Sequence, residues 1–166
     1  MSNIADASPC APTGMLVGVR LTIDDLLARA RSELVRLTPT ELLARMRADD
    51  SVVVVDTRTP DNRRAEGVIP GSVHIPLSVL QWAVDPAVGL QNPEIDGFEQ
   101  HIVVVCNEGY SSSLAAATLR ELGFARATDL DGGFRAWAGD ELPVSDPQPP
   151  EPGELPGRSH REPGGP

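Results

Sequence analysis

Two runs of consecutive apolar residues, Val52 to Val55 and Ile102 to Val105, stand out from a chain that otherwise mixes apolar and polar positions. An uninterrupted β-branched run suits a strand covered on both faces, as in a parallel sheet. Each run stops at a residue capable of chemistry, Asp56 in the first case and Cys106 in the second. Around these strands the spacing predicts helices. Thr22, followed by Asp24 and Asp25, predicts a helix start, and Leu26, Leu27, Ala30, Leu34 and Val35 give an amphipathic face over 21–36. Thr38, Pro39 and Glu41 have the capping-box spacing with proline at the first helical position. Leu42, Leu43 and Met46 then supply that helix's apolar face, and it ends near Asp49 and Asp50.

Further along, Asp61 to Glu66 reads as a short helix or surface turn, and Pro70-Gly71 marks a turn before a short apolar strand that stops at Pro76. Leu77 to Val84 predicts a helix with Trp82 as an anchor at the core edge, and Asp85 to Gln100 is loop-rich. Beyond Cys106, a polar loop over Asn107 to Ser111 leads through Ser112 and Ser113 into an Ala/Leu-rich helix closed by Gly123. Ala127 to Leu130 predicts a short strand, Asp131-Gly132-Gly133 a turn, and Phe134 to Ala138 a short helix bearing Trp137. Strands alternating with helices specify an α/β layered domain with a mainly parallel sheet.

Composition narrows the picture. With 166 residues, 40% of them hydrophobic, one core is expected. Residues 1–20 read as a flexible leader, and 145–166 as a disordered Pro/Gly-rich tail. A formal charge of −10 argues against nucleic acid or an anionic membrane as a partner, since both need a basic surface. The two cysteines, Cys10 and Cys106, make a disulfide framework improbable and suit a reducing compartment. No basic region followed by an apolar core opens the chain, and no apolar span approaches the ~20 residues that cross a bilayer, so a cytoplasmic location is expected.

The candidate chemistry centres on Cys106, which lies between a buried strand and a tight loop that feeds a helix. Ligands gather at the carboxyl ends of the strands in open α/β sheets. Such a loop aims backbone N–H groups and the positive end of the helix dipole at its centre, which favours a thiolate. Those surroundings bring a thiol from about 8.5 to roughly 3.5–7.5. By position alone Cys106 is either a nucleophile or a small buried hydrophobe. Asp56 and Arg58 form a charge-assisted pair in which a structural role is favoured over a cation facing the site. His74 reads as a satisfied strand residue, not a base.

Asp56-Thr-Arg58, Gly67-Val-Ile-Pro-Gly-Ser72 with Ile75-Pro76, the run ending at Cys106 with its loop, and Asp131-Gly-Gly-Phe-Arg-Ala-Trp137 together resemble a single-domain rhodanese. The resemblance implies a rhodanese-like three-layer domain over 37–144, with a central, mainly parallel five-stranded sheet flanked by helices. It also implies a sulfurtransferase in which the Cys106 thiolate takes a sulfane sulfur from thiosulfate or a persulfide. That sulfur then passes to cyanide, a cellular thiol or a protein acceptor. Asn107, Glu108, Gly109, Tyr110, Ser111 and Ser112 would form the persulfide-binding loop, supported by Asp56 and Arg58, with no metal or organic cofactor.

Several features depart from the family pattern. The loop has no Lys or Arg, carries Ser111 where many members have Arg, and contains Glu108. A carboxylate beside the thiolate opposes its ionisation and repels thiosulfate, which favours a less charged or persulfide donor. The Gly67 motif lacks the family's usual His, and Arg58 is the remaining local candidate for positive charge. A related cysteine phosphatase would need Arg at position 112, which is Ser112 here. Two alternatives from other classes are a non-catalytic rhodanese-like binding module and a thiol-redox protein with Cys10 as resolving partner.

Overall fold

The computed structural model describes residues 20–89 and 91–148. The proposed leader, with Cys10, and the tail beyond 148 lie outside the described residues. Four parallel strands, β1 (Val52–Asp56), β2 (Val73–His74), β3 (His101–Val105) and β4 (Thr128–Asp129), form one sheet in the order β2-β1-β3-β4. The β1 and β3 strands sit at its centre, paired from Val52 with His101 through Asp56 with Val105. This register brings Asp56 and the Val105–Cys106 junction to the same end of the sheet.

The resemblance implies a fifth strand, and the structure reduces it to one residue. Leu37 bridges Leu130 in parallel, its N–H donating to the Asp129 carbonyl and its carbonyl accepting from the Asp131 N–H. Extension is blocked because Thr38 is already the N-cap of helix α2 (Pro39–Ala48), with the expected Thr38–Glu41 capping box. Helix α1 (Ile23–Ser32) opens on a Thr22–Asp25 capping box. It stops at Ser32, short of the predicted 36, so Val35 falls beyond its end and is exposed.

The remaining helices are α3 (Pro60–Glu66), α4 (Leu80–Val84) preceded by a 3-10 turn at Leu77–Val79, α5 (Ser111–Glu121) and α6 (Gly133–Gly139). Side chains of a strand alternate faces, so the central valines feed two cores. Val55, Ile102 and Val104 pack with Leu80 and Val84 of α4 and Ala115, Ala116 and Leu119 of α5. Val54, Val103 and Val105 pack with Leu42 of α2 and with Phe134 and Trp137 of α6. The result is the expected three-layer α/β arrangement. Helix α1 lies against α5, with Leu27 and Ala30 buried.

Two sequence expectations are corrected. Trp82 is 55% exposed, because the short α4 turns Leu80, Ala83 and Val84 inward instead. Ser145, assigned to the tail, belongs to the domain: its N–H and carbonyl pair with Val68 in an antiparallel bridge. Among the described residues no helix is long and apolar enough to cross a membrane.

Candidate active site

Cys106 leaves the end of β3 buried, at 7% exposure, and the chain then wraps around its sulfur before entering α5. The loop's carbonyls are tied outward. The Phe134 and Arg135 N–H groups at the start of α6 donate to the carbonyls of Cys106 and Asn107 at 2.8 and 3.0 Å. This approach requires a glycine before Phe134, since a Cβ on Gly133 would lie 2.5 Å from the Cys106 oxygen. The Gly109 carbonyl is held by the guanidinium groups of Arg31 and Arg36 at 2.8 and 3.1 Å. A trans peptide points its N–H opposite its C=O, so carbonyls turned out leave the following N–H groups turned in.

The sulfur is consequently surrounded by donors. The Gly109 N–H donates to Cys106 Sγ at 3.1 Å, and Ser112 Oγ lies 3.2 Å from the sulfur. Burial pushes the Cys106 thiol up, but hydrogen bonds from the Ser111 and Ser112 hydroxyls and the N–H groups of Ser112 and Glu108 outweigh it, leaving the thiol below its ordinary value. Hydrogen bonds to the charged form favour ionisation, and here they prevail over desolvation.

The other loop residues divide by direction. Ser112 is fully buried and faces the sulfur. Asn107 is half-buried, and its Oδ1 has no hydrogen-bond partner among the described residues. Gly109 takes the left-handed region at φ 76°, where a side chain would also meet the Gly132 nitrogen at 2.8 Å. Tyr110 is exposed at the rim, with the Arg31 guanidinium 5.4 Å from its ring centre. Glu108 turns outward: its carboxylate accepts from Arg135 Nη1 at 2.5 Å, and Arg135 also binds Glu66. The repulsion expected from Glu108 is thus directed to an ion pair at the surface.

Asp56 and Arg58 come together, and neither has a hydrogen bond to the sulfur among the described residues. Arg58 donates to Asp56 Oδ1 and Oδ2 at 3.0 and 2.8 Å, to the Gly67 carbonyl at 2.7 Å and to Glu66, and it stacks 3.6 Å from the centre of the Phe134 ring. Its Nε, Nη1 and Nη2 are all engaged. His74 Nε2 lies 3.0 Å from the Arg58 carbonyl, in the satisfied state expected of it.

Sequence reasoning missed Arg31, Arg36, Ser113 and Asp129. Asp129 is fully buried at the end of β4 and accepts from Ser112 Oγ at 3.0 Å, from Ser113 Oγ at 2.8 Å and from Arg36 Nε and Nη2. A chain of donation therefore runs from the thiol through the Ser112 hydroxyl to a carboxylate. When the thiol ionises, the Ser112 proton can turn to the sulfur, because Asp129 Oδ2 retains Ser113 and Arg36 as donors. The rule that marked Asp56, a carboxylate at a strand's carboxyl end, applies equally to Asp129.

A model of the rhodanese-like domain family matches residues 38–140. A sulfurtransferase of Allochromatium vinosum is 32% identical over 109 residues, covering 65% of this chain and 92% of that protein. A thiosulfate sulfurtransferase, GlpE, of Pseudoalteromonas translucida is 38% identical over 89 residues, covering 53% of this chain and 74% of that protein. Among solved structures, a Rhodopseudomonas palustris protein of unknown function, described as a possible tyrosine phosphatase, superposes with a TM-score of 0.70 at 29% identity. The match covers 80% of this chain and all of that one. By its matched segment, its fold and its relatives, the chain belongs to the rhodanese-like domain family.

Proposed function

We propose that the protein is a rhodanese-type sulfurtransferase working through a persulfide on Cys106. The observation that carries the reading is the buried sulfur itself, which backbone N–H and serine hydroxyl donors hold below the ordinary thiol range. The sulfurtransferase names of two relatives support it. With thiosulfate as donor, the thiolate attacks the outer sulfur. The Sγ–S bond forms as the S–S bond of the donor breaks, and sulfite leaves with the electron pair. The terminal persulfide sulfur then carries the negative charge, and the inward N–H groups and the Ser111 and Ser112 hydroxyls stabilise it. A thiophilic acceptor such as cyanide or a thiolate attacks that sulfur, and Cys106 is released as the thiolate. A persulfide donor reacts in the same way and expels a thiolate.

The phosphatase description of the structural relative finds no support in this site. Phosphoryl oxygens need a bidentate cation within the loop, and position 112 holds a serine that faces the sulfur. A pure binding module gives no reason for a thiol held below its ordinary value.

Steady-state kinetics with thiosulfate and cyanide test the proposal. Parallel double-reciprocal lines, the signature of a covalent intermediate released between half-reactions, are expected, with loss of thiocyanate formation in Cys106→Ser. Intersecting lines, or turnover retained in the variant, would overturn the persulfide route.

A further inference from the structure

We infer that Arg31, on the helix preceding the family-matched segment, is a positioning residue for the Cys106 cradle: it holds the Gly109 carbonyl outward so that the Tyr110 N–H faces the sulfur. This inference rests on Cys106 as the reacting group and gives α1 a task in the reaction.

The loop over 107–112 contains no Lys or Arg. Cationic charge reaches it from outside instead. Arg31 Nη2 donates to the Gly109 carbonyl at 2.8 Å, and Arg31 Nε donates to Ser113 Oγ at 3.2 Å. Ser113 Oγ in turn donates to the Gly109 carbonyl at 3.0 Å or to Asp129 at 2.8 Å. One guanidinium thereby joins the loop, the first turn of α5 and the buried carboxylate. The peptide whose carbonyl Arg31 grips ends in the Tyr110 N–H, which has no partner among the described residues. With its carbonyl fixed outward, that N–H points into the cradle as an unused donor for the second sulfur of a persulfide.

Arg31 is held for this work. Leu27 and Ala30, on the same helix, are buried, and the capping box fixes the helix start. The charged groups around the cradle are Arg31 from α1, Arg36 from the segment after it, Asp129 from β4 and Asp131 just beyond it, Glu108 from the loop, Arg135 from α6, Glu66 from α3, and Asp56 with Arg58 from the end of β1. Glu108 is paired with Arg135, Asp129 with Arg36, and Asp56 with Arg58. Arg31 forms no ion pair among the described residues, so its positive charge acts on the loop with the least compensation.

The test replaces Arg31 by Met, which keeps the stem and removes charge and donors, and by Lys, which keeps charge with one donor centre. Arg29→Met, on the same helix and without a bond to the loop, controls for net charge. In a Cys10→Ser background, the pH midpoint of Cys106 alkylation by iodoacetamide is read without any sulfur donor, alongside kcat/KM for thiosulfate. Arg31→Met should raise the midpoint by about half to one pH unit and lower kcat/KM about tenfold. Arg31→Lys should recover part of both, and Arg29→Met should match the parent. An unmoved midpoint in Arg31→Met, or an equal shift in Arg29→Met, overturns the inference. If Arg31→Met does not fold, the Lys variant decides: parental values in both readouts also overturn it. A shifted midpoint in a protein that transfers no sulfur would retain Arg31's role and overturn the sulfurtransferase reading instead.

Discussion

Two buried carboxylates, each paired with an arginine, stand at the carboxyl ends of β1 and β4, on either side of β3, and they have different consequences. Asp56 and Arg58 close on each other: Arg58 is fully buried, and its remaining donors go to Glu66 and a backbone carbonyl. Asp129 and Arg36 are open toward the site, because the carboxylate also receives the Ser112 hydroxyl, which lies 3.2 Å from the Cys106 sulfur. The same pairing of residue types is scaffold in one place and part of the sulfur's environment in the other. What separates them is the hydroxyl that links the pair to the reacting atom.

The largest effect tests the scaffold. Arg58→Met leaves the Asp56 carboxylate buried with Arg63 as its remaining cation, and breaking a buried pair costs about 3–5 kcal/mol. Urea unfolding should show that loss, while the alkylation midpoint of Cys106 stays in place. A moved midpoint would erase the distinction between the two pairs. Asp129→Asn is the converse experiment, expected to cost about 1–3 kcal/mol through altered hydrogen bonding of a buried group. Loss of the nearby negative charge should also lower the Cys106 midpoint. If only stability changes, the Ser112 link has no electronic effect.

Ser112→Ala sharpens the comparison further. The thiolate is the nucleophile, and the Ser112 hydroxyl is among the groups that hold Cys106 below its ordinary value. Reactivity of the parent protein should therefore be lost, as pH falls, at a lower pH than for an ordinary thiol. Removing the hydroxyl should move that acid limb to higher pH, by about half to one unit. The smallest effect belongs to Glu108→Gln. Glu108 is 54% exposed and paired with the similarly exposed Arg135, and solvent screens such a pair so that it contributes little. The change in kcat/KM for thiosulfate should stay within about threefold. A large gain would show that the carboxylate reaches the donor after all.

The fold was legible because local signals agreed with one another. Both buried strands were continuous apolar runs, and the structure contains the helix start read at Thr22 and the capping box read at Thr38. Trp82 and Val35 were misjudged because periodicity cannot say where a short helix stops or which face a single turn buries. Within the site, Cys106 and its loop were legible from the strand–loop–helix pattern and the family resemblance. Arg31 was not, since it meets Gly109 across 78 positions of sequence and no local pattern marks such a contact. Asp129 was within reach of the rule applied to Asp56, but its strand is only two residues long and gives little apolar signal.

The central claim is that Cys106 carries the transferred sulfur. Intact mass under non-reducing conditions, for the parent protein and Cys106→Ser after incubation with thiosulfate or a low-molecular-weight persulfide, tests it most directly. The account predicts a gain of one sulfur atom in the parent alone, removed by cyanide with release of thiocyanate. No gain from either donor, or the same gain in Cys106→Ser, would contradict it.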